Sequence, residues 1–356
     1  MKPFLPEKIY IDREVLETRI AKNVLSFFNT SYEIISDPKE IGLSTSLEQG
    51  KKELLVTKFQ GKVFEHCPAG KPGMMCCNYF IFPFAQNCHM DCEYCFLQYY
   101  LNKQVMVIYA NVEDMLEELK KILTLKQGFC RVGTGEYADS LALDHITGIS
   151  KILVPFFAHN KKAVLELKTK TNNIANLLDM DSQGNTVVSW SMSPQEITAK
   201  YEHGTSTLSD KLKAAVKCAK ANYKISFHFD PIIYYSEWER GYQELTESIY
   251  DAMGAFPIEW ISLGNLRLTH DLKTMMKIRF PQSELVGEEM VRSTDGRFRY
   301  PKKLRIEMYQ KIWNSILKKR ESQKLYLCME NPDVWDKVQV PKTSQPKLFW
   351  GTSAPK

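Results

Sequence analysis

Apolar positions along this chain recur with two periods. From Tyr79 onward, short runs rich in β-branched and aromatic residues alternate with longer stretches whose apolar residues fall three and four apart. The runs at 79–84, 130–134, 164–168, 187–192, 225–230 and 260–266 predict strands. The stretches at about 112–124, 144–158, 173–180, 208–222, 240–253 and 270–278 predict amphipathic helices. Regular alternation of strand and helix implies parallel βαβ units, and six of them make an α/β fold, a partial (β/α)6 barrel of the TIM type. Barrels of this kind carry their chemistry at the C-terminal ends of the strands. Ahead of the barrel, 8–11 and 53–57 read as strands and 13–28 as a helix. The expected division is an N-terminal α/β cap at 1–64, the barrel at 65–280 and a C-terminal extension at 281–356.

Composition narrows the setting more than the chemistry. The net charge of +5 on 356 residues is too mild to imply nucleic acid by itself. No apolar run reaches membrane-spanning length and no leader pattern is visible, so no membrane partner is expected. Nine cysteines is an odd count without a disulfide framework, which suits a reducing, cytoplasmic setting.

Three of those cysteines carry the strongest signal. Cys88, Cys92 and Cys95 follow the first barrel strand in a C-x3-C-x2-C spacing, which lets three thiolates turn inward from one tight loop. Thiolates are the usual ligands of a 4Fe-4S cluster, which normally takes four, so one iron is left open for a small molecule. Zinc is the competing occupant, with His89 as a fourth ligand, but a structural zinc site needs a second short-spaced pair and none follows. The spacing, with an aromatic residue just before the last Cys, resembles the radical S-adenosylmethionine (SAM) superfamily. That resemblance implies that the open iron chelates SAM and that one electron cleaves it to a 5'-deoxyadenosyl radical.

Other strand ends supply candidate contacts. The second strand ends in Gly133-Thr134-Gly135-Glu136, where Gly135 permits close backbone approach and Glu136 can accept from an ammonium group. It is similar to the Gly-Gly-Glu element that holds the SAM amino group in radical SAM enzymes, although a lone G-x-G-E is also an ordinary turn. Lys170, ending the third strand, suits a carboxylate or stands as a solvated lysine. Alternation places Ser189, Ser191 and Ser193 of the fourth strand on one face, where buried hydroxyls need partners. On the fifth, Ser226, His228 and Asp230 alternate, with a His–Asp pair or a substrate contact as the two readings.

At this point the residues resemble one family, the spore photoproduct lyases, which use the deoxyadenosyl radical to reverse a thymine–thymine methylene crosslink in DNA. The likeness runs over nearly the whole chain and includes Glu93-Tyr94-Cys95-Phe96-Leu97-Gln98, Leu143-Asp144-His145-Ile146-Thr147, Asp230-Pro231-Ile232-Ile233-Tyr234 and Trp238-Glu239-Arg240-Gly241-Tyr242. It implies that Cys88, Cys92 and Cys95 bind the cluster, that Lys170 and Ser191 contact SAM, and that Arg297 meets the lesion. It also implies a one-electron reductant such as flavodoxin or ferredoxin. Two departures stand out. The family's hydrogen-donating Cys is matched here by Glu136, whose O–H bond is far too strong for that role. Of a family tyrosine pair that relays the radical, only Tyr94 remains, because the second position is Phe96. Thiols elsewhere are the substitutes to consider, Cys328 and Cys77 first, then Cys67, Cys76 and Cys130, each of which also reads as a plain buried thiol.

The segment 267–324 is rich in Arg and Lys, with Phe298, Tyr300 and Tyr309 interleaved. That mixture suits phosphate contact and base stacking, and the loop from Arg297 through Tyr300 to Lys303 is the candidate DNA contact. A solvated helix face is the other reading of 303–320. A radical SAM enzyme acting on a peptide or small metabolite, or a cluster-binding protein without lyase activity, is the alternative to DNA repair.

Overall fold

A computed structural model describes residues 3–39, 46–68, 74, 75, 77, 79–102 and 104–338, so Cys76 lies outside the described residues. All six expected barrel strands are present, as Tyr79–Ile81, Cys130–Gly133, Ala163–Thr169, Thr186–Ser191, Lys224–Ile232 and Ile258–Asn265. Each pairs in parallel with the next, and the sheet curls into an open half-barrel. A seventh parallel strand, Leu325–Leu327, pairs with Ile258–Asn265 and carries Cys328 at its end. Glu65–His66 closes the opposite edge antiparallel. The expected helices form at Val112–Leu125, Leu208–Lys220, Trp238–Met253 and His270–Arg279, and Lys302–Lys319 packs on the barrel beside Trp238–Met253. The 144–158 helix breaks in two at Gly148, which takes the left-handed φ of 65°. The 173–180 helix is reduced to one 3-10 turn, Ala175–Leu177.

The barrel strands read as almost continuous apolar runs because helices cover one face and the barrel interior covers the other. Thr186–Ser191 is buried at every position. Where polar residues interrupt the runs, they meet one another. The buried Glu166 carboxylate accepts from Ser189 Oγ at 2.7 Å, lies 2.8 Å from His228 Nε2, and stands 3.6 Å from Arg131 Nε. Burial alone would raise this carboxyl, but Arg131 and His228 outweigh it and hold Glu166 well below the usual carboxylate range. An ionised Glu166 can only accept, so His228 Nε2–H donates, and Nδ1 accepts from Ser262 Oγ at 2.5 Å. By the same logic Ser226 donates to Ser189 across 2.5 Å. Within the predicted serine stripe Ser189 thus finds its partner in Glu166 and Ser193 in Glu202, and His228 pairs with Glu166 rather than Asp230.

The N-terminal region forms a second sheet, ordered Glu33–Ile35, Lys8–Asp12, Glu53–Thr57, Met106–Tyr109, Ala85–Gln86. Two of its strands come from beyond residue 64, and one hydrophobic core runs from Phe4 to Val338. Among the described residues no helix is long and apolar enough to cross a membrane.

Candidate active site

The loop bearing the three cysteines is pinned from three sides. Asn87, at φ 70°, turns the chain, and its Oδ1 accepts from Cys88 N–H at 2.8 Å. Asp91 pairs with Arg279 at 2.8 Å and with Lys51 at 2.7 Å, while Lys51 also donates to Met90 O. Asp91 and Cys92 then form a short antiparallel pairing with Glu202 and His203, in the register Cys92 to Glu202. Gly204 at φ 82° lets this second hairpin arm lie close to Met90.

That pairing brings Glu202 beneath the loop, where it serves as a hub. Its Oε1 accepts from Tyr94 Oη at 2.5 Å, Lys170 Nζ at 2.8 Å and Ser193 Oγ at 2.7 Å, and its Oε2 lies 3.3 Å from Lys211 Nζ. Burial would raise this carboxyl, but the two lysines more than compensate and hold it ionised. Lys170 and Tyr94 are also 3.0 Å apart, so the two residues singled out from the sequence are oriented by a third that was not.

Above the loop opens a cavity of about 810 Å³ lined from the C-terminal ends of all seven barrel strands. Cys88, Cys92, Cys95, Tyr94, Asp139, Lys170 and Ser191 line it, as do Gly135, Glu136, Cys77, Cys328 and Arg297. The charge felt most by the buried Cys88 thiol is that of Asp139, followed by Lys51, whereas Glu136 feels Lys168, Asp230 and Cys77. Tyr94 of the cysteine loop is tied to Lys170 and Glu202, whereas Cys77 is tied through Arg131 to Tyr326, two residues before Cys328, so the cavity has a cysteine-loop end and a Cys77–Cys328 end. At the latter, Arg131 Nη2 donates to Cys77 Sγ at 2.7 Å and Nη1 to Tyr326 Oη at 3.0 Å. Burial raises the Cys328 thiol well above its ordinary value, so it keeps its proton.

The residues fit a 4Fe-4S cluster. Burial pushes Cys88 up to about 12 and raises Cys92 and Cys95 as well, so three neutral thiols face one cavity and need iron to become thiolates. Among the described residues no three His, Cys, Asp or Glu side chains gather as a single-ion site requires. A cubane differs, because each thiolate meets its own iron. His89 has both ring nitrogens buried and its ring lies 5.9 Å from that of Phe4, while the cavity is lined without it.

Several expectations for the C-terminal region are corrected. Tyr300 is wholly buried, with its hydroxyl accepting from Tyr234 N–H at 3.1 Å, so it cannot stack on a base. Tyr309 is likewise internal, bonded to Glu330. Much of the basic tally is spent inside the fold, in Arg299 with Asp295, Arg305 with Glu330 and Arg279 with Asp91. Arg297 reaches the cavity but is paired with Asp295 at 3.0 Å. Of the thiols, Cys130 and Cys218 are buried in the core, and Cys67 lines the cavity. Sequence reasoning missed Glu202, Asp139 and Lys168. The first had no local signal, because its role arises from a strand pairing with Cys92, far away in sequence, which a side-chain contact of His203 with Glu93 reinforces.

The family model for spore photoproduct lyase matches residues 4–327. The spore photoproduct lyase of Bacillus subtilis (strain 168) is 28% identical over 310 residues, 83% of this chain and 89% of that protein. That of Geobacillus sp. (strain Y412MC61) is 27% identical over 311 residues, 82% and 87% of the two chains. Among solved structures, a spore photoproduct lyase complexed with dinucleoside spore photoproduct superposes with a TM-score of 0.81 at 23% identity, covering 92% of this chain and all of that one. Fold, cysteine loop and extended sequence match agree: the chain belongs to the spore photoproduct lyase family of radical SAM enzymes.

Proposed function

We propose that this enzyme reverses a methylene-linked thymine lesion in DNA and that the hydrogen atom it returns to the product comes from Cys328. The observation that carries the reading is the two-ended cavity, with three cluster thiols at one end and a proton-bearing thiol at the other. When bound, the cluster supplies the electron that splits SAM into methionine and a 5'-deoxyadenosyl radical.

The chain's own residues hold and steer. Cys88, Cys92 and Cys95 hold the cluster. Gly135, Asp139, Lys170 and Ser191 hold SAM, with Lys170 kept in place by Glu202. Arg297, at the cavity lip, meets the lesion-bearing strand. Transfer of one hydrogen atom from a thymine ring of the lesion to the 5'-deoxyadenosyl radical, giving 5'-deoxyadenosine, lets the crosslink C–C bond break, freeing one thymine and leaving an unpaired electron on the methylene carbon of the other. Cys328 gives up its hydrogen atom there, an S–H bond breaking as a C–H bond forms, which leaves a thiyl radical. One electron relayed through Tyr94 and one proton from solvent restore the thiol, the Tyr94 phenol proton being directed at Glu202 during the relay. A one-electron donor of flavodoxin or ferredoxin type closes the cycle. Cys77 is the second candidate donor, but its sulfur is already held by a hydrogen bond from Arg131.

The test is anaerobic turnover of the reconstituted, reduced enzyme on an oligonucleotide carrying the spore photoproduct. Release of intact thymines in step with lesion loss supports the reading. SAM cleavage that is indifferent to the DNA, with the lesion unchanged, refutes it.

A further inference from the structure

Matching the charges that line the cavity leaves two over. Arg131 stands against Glu166, Lys170 against Glu202, Arg267 against Asp230 and Arg297 against Asp295. Asp139 accepts from Leu141 N, Ala142 N, Thr169 Oγ1 and Lys170 N. Asp271 lies 3.6 Å from its neighbour His270. The Glu136 carboxylate and the Lys168 ammonium line the same cavity, and neither makes a hydrogen bond or ion pair with any described residue; the ammonium instead lies over the face of the Tyr79 ring, 5.4 Å from its centre.

The two sit side by side. In the parallel register Glu166 lies opposite Gly133, so two residues on Gly135 flanks Lys168, and a Cβ on Gly135 would come within 2.8 Å of Lys168 Cβ. Glu136 follows immediately. Both belong to the Cys77–Cys328 end: Lys168 is among the charges that act on Cys328, and Cys77 is among those that act on Glu136. Neither is among the main charges acting on the cluster thiols. Burial raises the Glu136 carboxyl and the nearby Lys168 charge works against that rise; as a carboxylate Glu136 only accepts hydrogen bonds, and the Lys168 ammonium only donates them. Together they complement a group that presents an N–H beside a C=O. A phosphate would be repelled by Glu136, and an aliphatic chain would leave both charges unanswered.

We propose that Glu136 and Lys168 read the imide edge of one thymine of the lesion, Glu136 accepting from N3–H and Lys168 donating to an adjacent ring carbonyl. This deepens the function proposed above and rests on it. The carboxylate that stands where relatives place a hydrogen donor becomes a specificity residue, and the two roles are divided between Glu136 and Cys328.

The experiment measures anaerobic binding of the dinucleoside lesion and of its N3-methylated form to the reconstituted enzyme with SAM. Methylation removes the donor and is expected to weaken binding at least about tenfold, the discrimination typical of a two-point base contact. In Glu136→Leu the two ligands should bind equally, and Lys168→Met should weaken both while SAM affinity stays unchanged. The assignment is overturned if methylation costs less than about twofold in the unmodified enzyme, a measurement that does not depend on any variant folding. It is also overturned if the substitutions lower SAM affinity and spare lesion binding, which would place the pair at SAM's amino-acid end. Normal repair with no methylation effect removes this assignment alone, whereas failure to bind the unmethylated lesion removes the proposed function and this assignment together.

Discussion

A thiol hands over a hydrogen atom only while it holds one, and burial does that for Cys328. Cys328→Ala is therefore expected to cleave SAM at a near-normal rate while lesion reversal falls by about a hundredfold or more, a loss of roughly 3 kcal/mol of transition-state stabilisation. Cys77→Ala should retain most reversal. Chromatography of deoxyadenosine, thymine and side products in one reaction reads both rates. Glu202 makes a second residue-level prediction. It answers two lysines, the buried Lys211 and the cavity-lining Lys170, so Glu202→Leu leaves both charges uncompensated. A loss of about 3–5 kcal/mol in denaturant unfolding is expected. That Cys88, Cys92, Cys95 and Lys170 gather at one cavity was legible because local spacing or family likeness exposes them. Glu202 and Lys168 were not, since their meaning depends on which charges remain unmatched in three dimensions. Tyr300 was misplaced because a tyrosine in a basic stretch looks the same whether its ring stacks on a ligand or fills the core.

Among elements, the cysteine loop depends most on distant support. Helix His270–Arg279 reaches it through Arg279, which binds Asp91 twice and Gln98 Oε1 at 2.6 Å. Arg279→Met removes all three bonds but no part of the cavity lining. Iron retained per chain after reconstitution and desalting should fall to less than about half, with SAM cleavage falling in proportion. Iron retention equal to the unmodified enzyme would show that the cysteines hold the loop unaided. Strands were the most readable elements, since a buried parallel strand is a dense apolar run. The exceptions have physical causes. Leu325–Leu327 is too short to show a period, although it completes the sheet and positions Cys328. The 173–180 stretch has helical spacing, but side-chain bonds tie it to the preceding segment: Asn173 Nδ2 donates to Leu141 O and Asn176 Nδ2 to Asp144 O, while Thr171 O just before it accepts from Trp190 Nε1.

At the scale of the whole molecule, the polar layer inside the barrel ties stability to pH. Burial first, then the charge of Lys168, lowers His228 to about 4 from an ordinary 6.5. The unfolded chain takes up that proton below about 6.5, whereas the folded chain does so only near 4, so stability falls as pH drops through this window. Glu166 adds in the same direction, because a depressed carboxyl stabilises above its unfolded pKa and loses that contribution in acid. Between pH 6.5 and 5 the expected loss is about 2 kcal/mol. Denaturant unfolding at the two pH values measures it, and His228→Gln should flatten the dependence. An unchanged free energy would mean that His228 is protonated in the folded state. The architecture itself was largely readable in advance, because alternation of strand and helix constrains topology strongly. Charge was less readable: a count of cations in 267–324 suggests a basic lip, yet Arg299 and Arg305 are buried in ion pairs.

One measurement addresses lesion reversal and the source of the returned hydrogen together. A thiol proton exchanges with solvent, whereas hydrogens on the carbon atoms of SAM do not. The reconstituted enzyme, equilibrated in D2O and given SAM, reductant and lesion-bearing oligonucleotide, should release thymine carrying a single deuterium in its methyl group. Cys328→Ala should lose that product. Repaired thymine without deuterium would contradict a thiol donor, and an intact lesion beside accumulating 5'-deoxyadenosine would contradict repair itself.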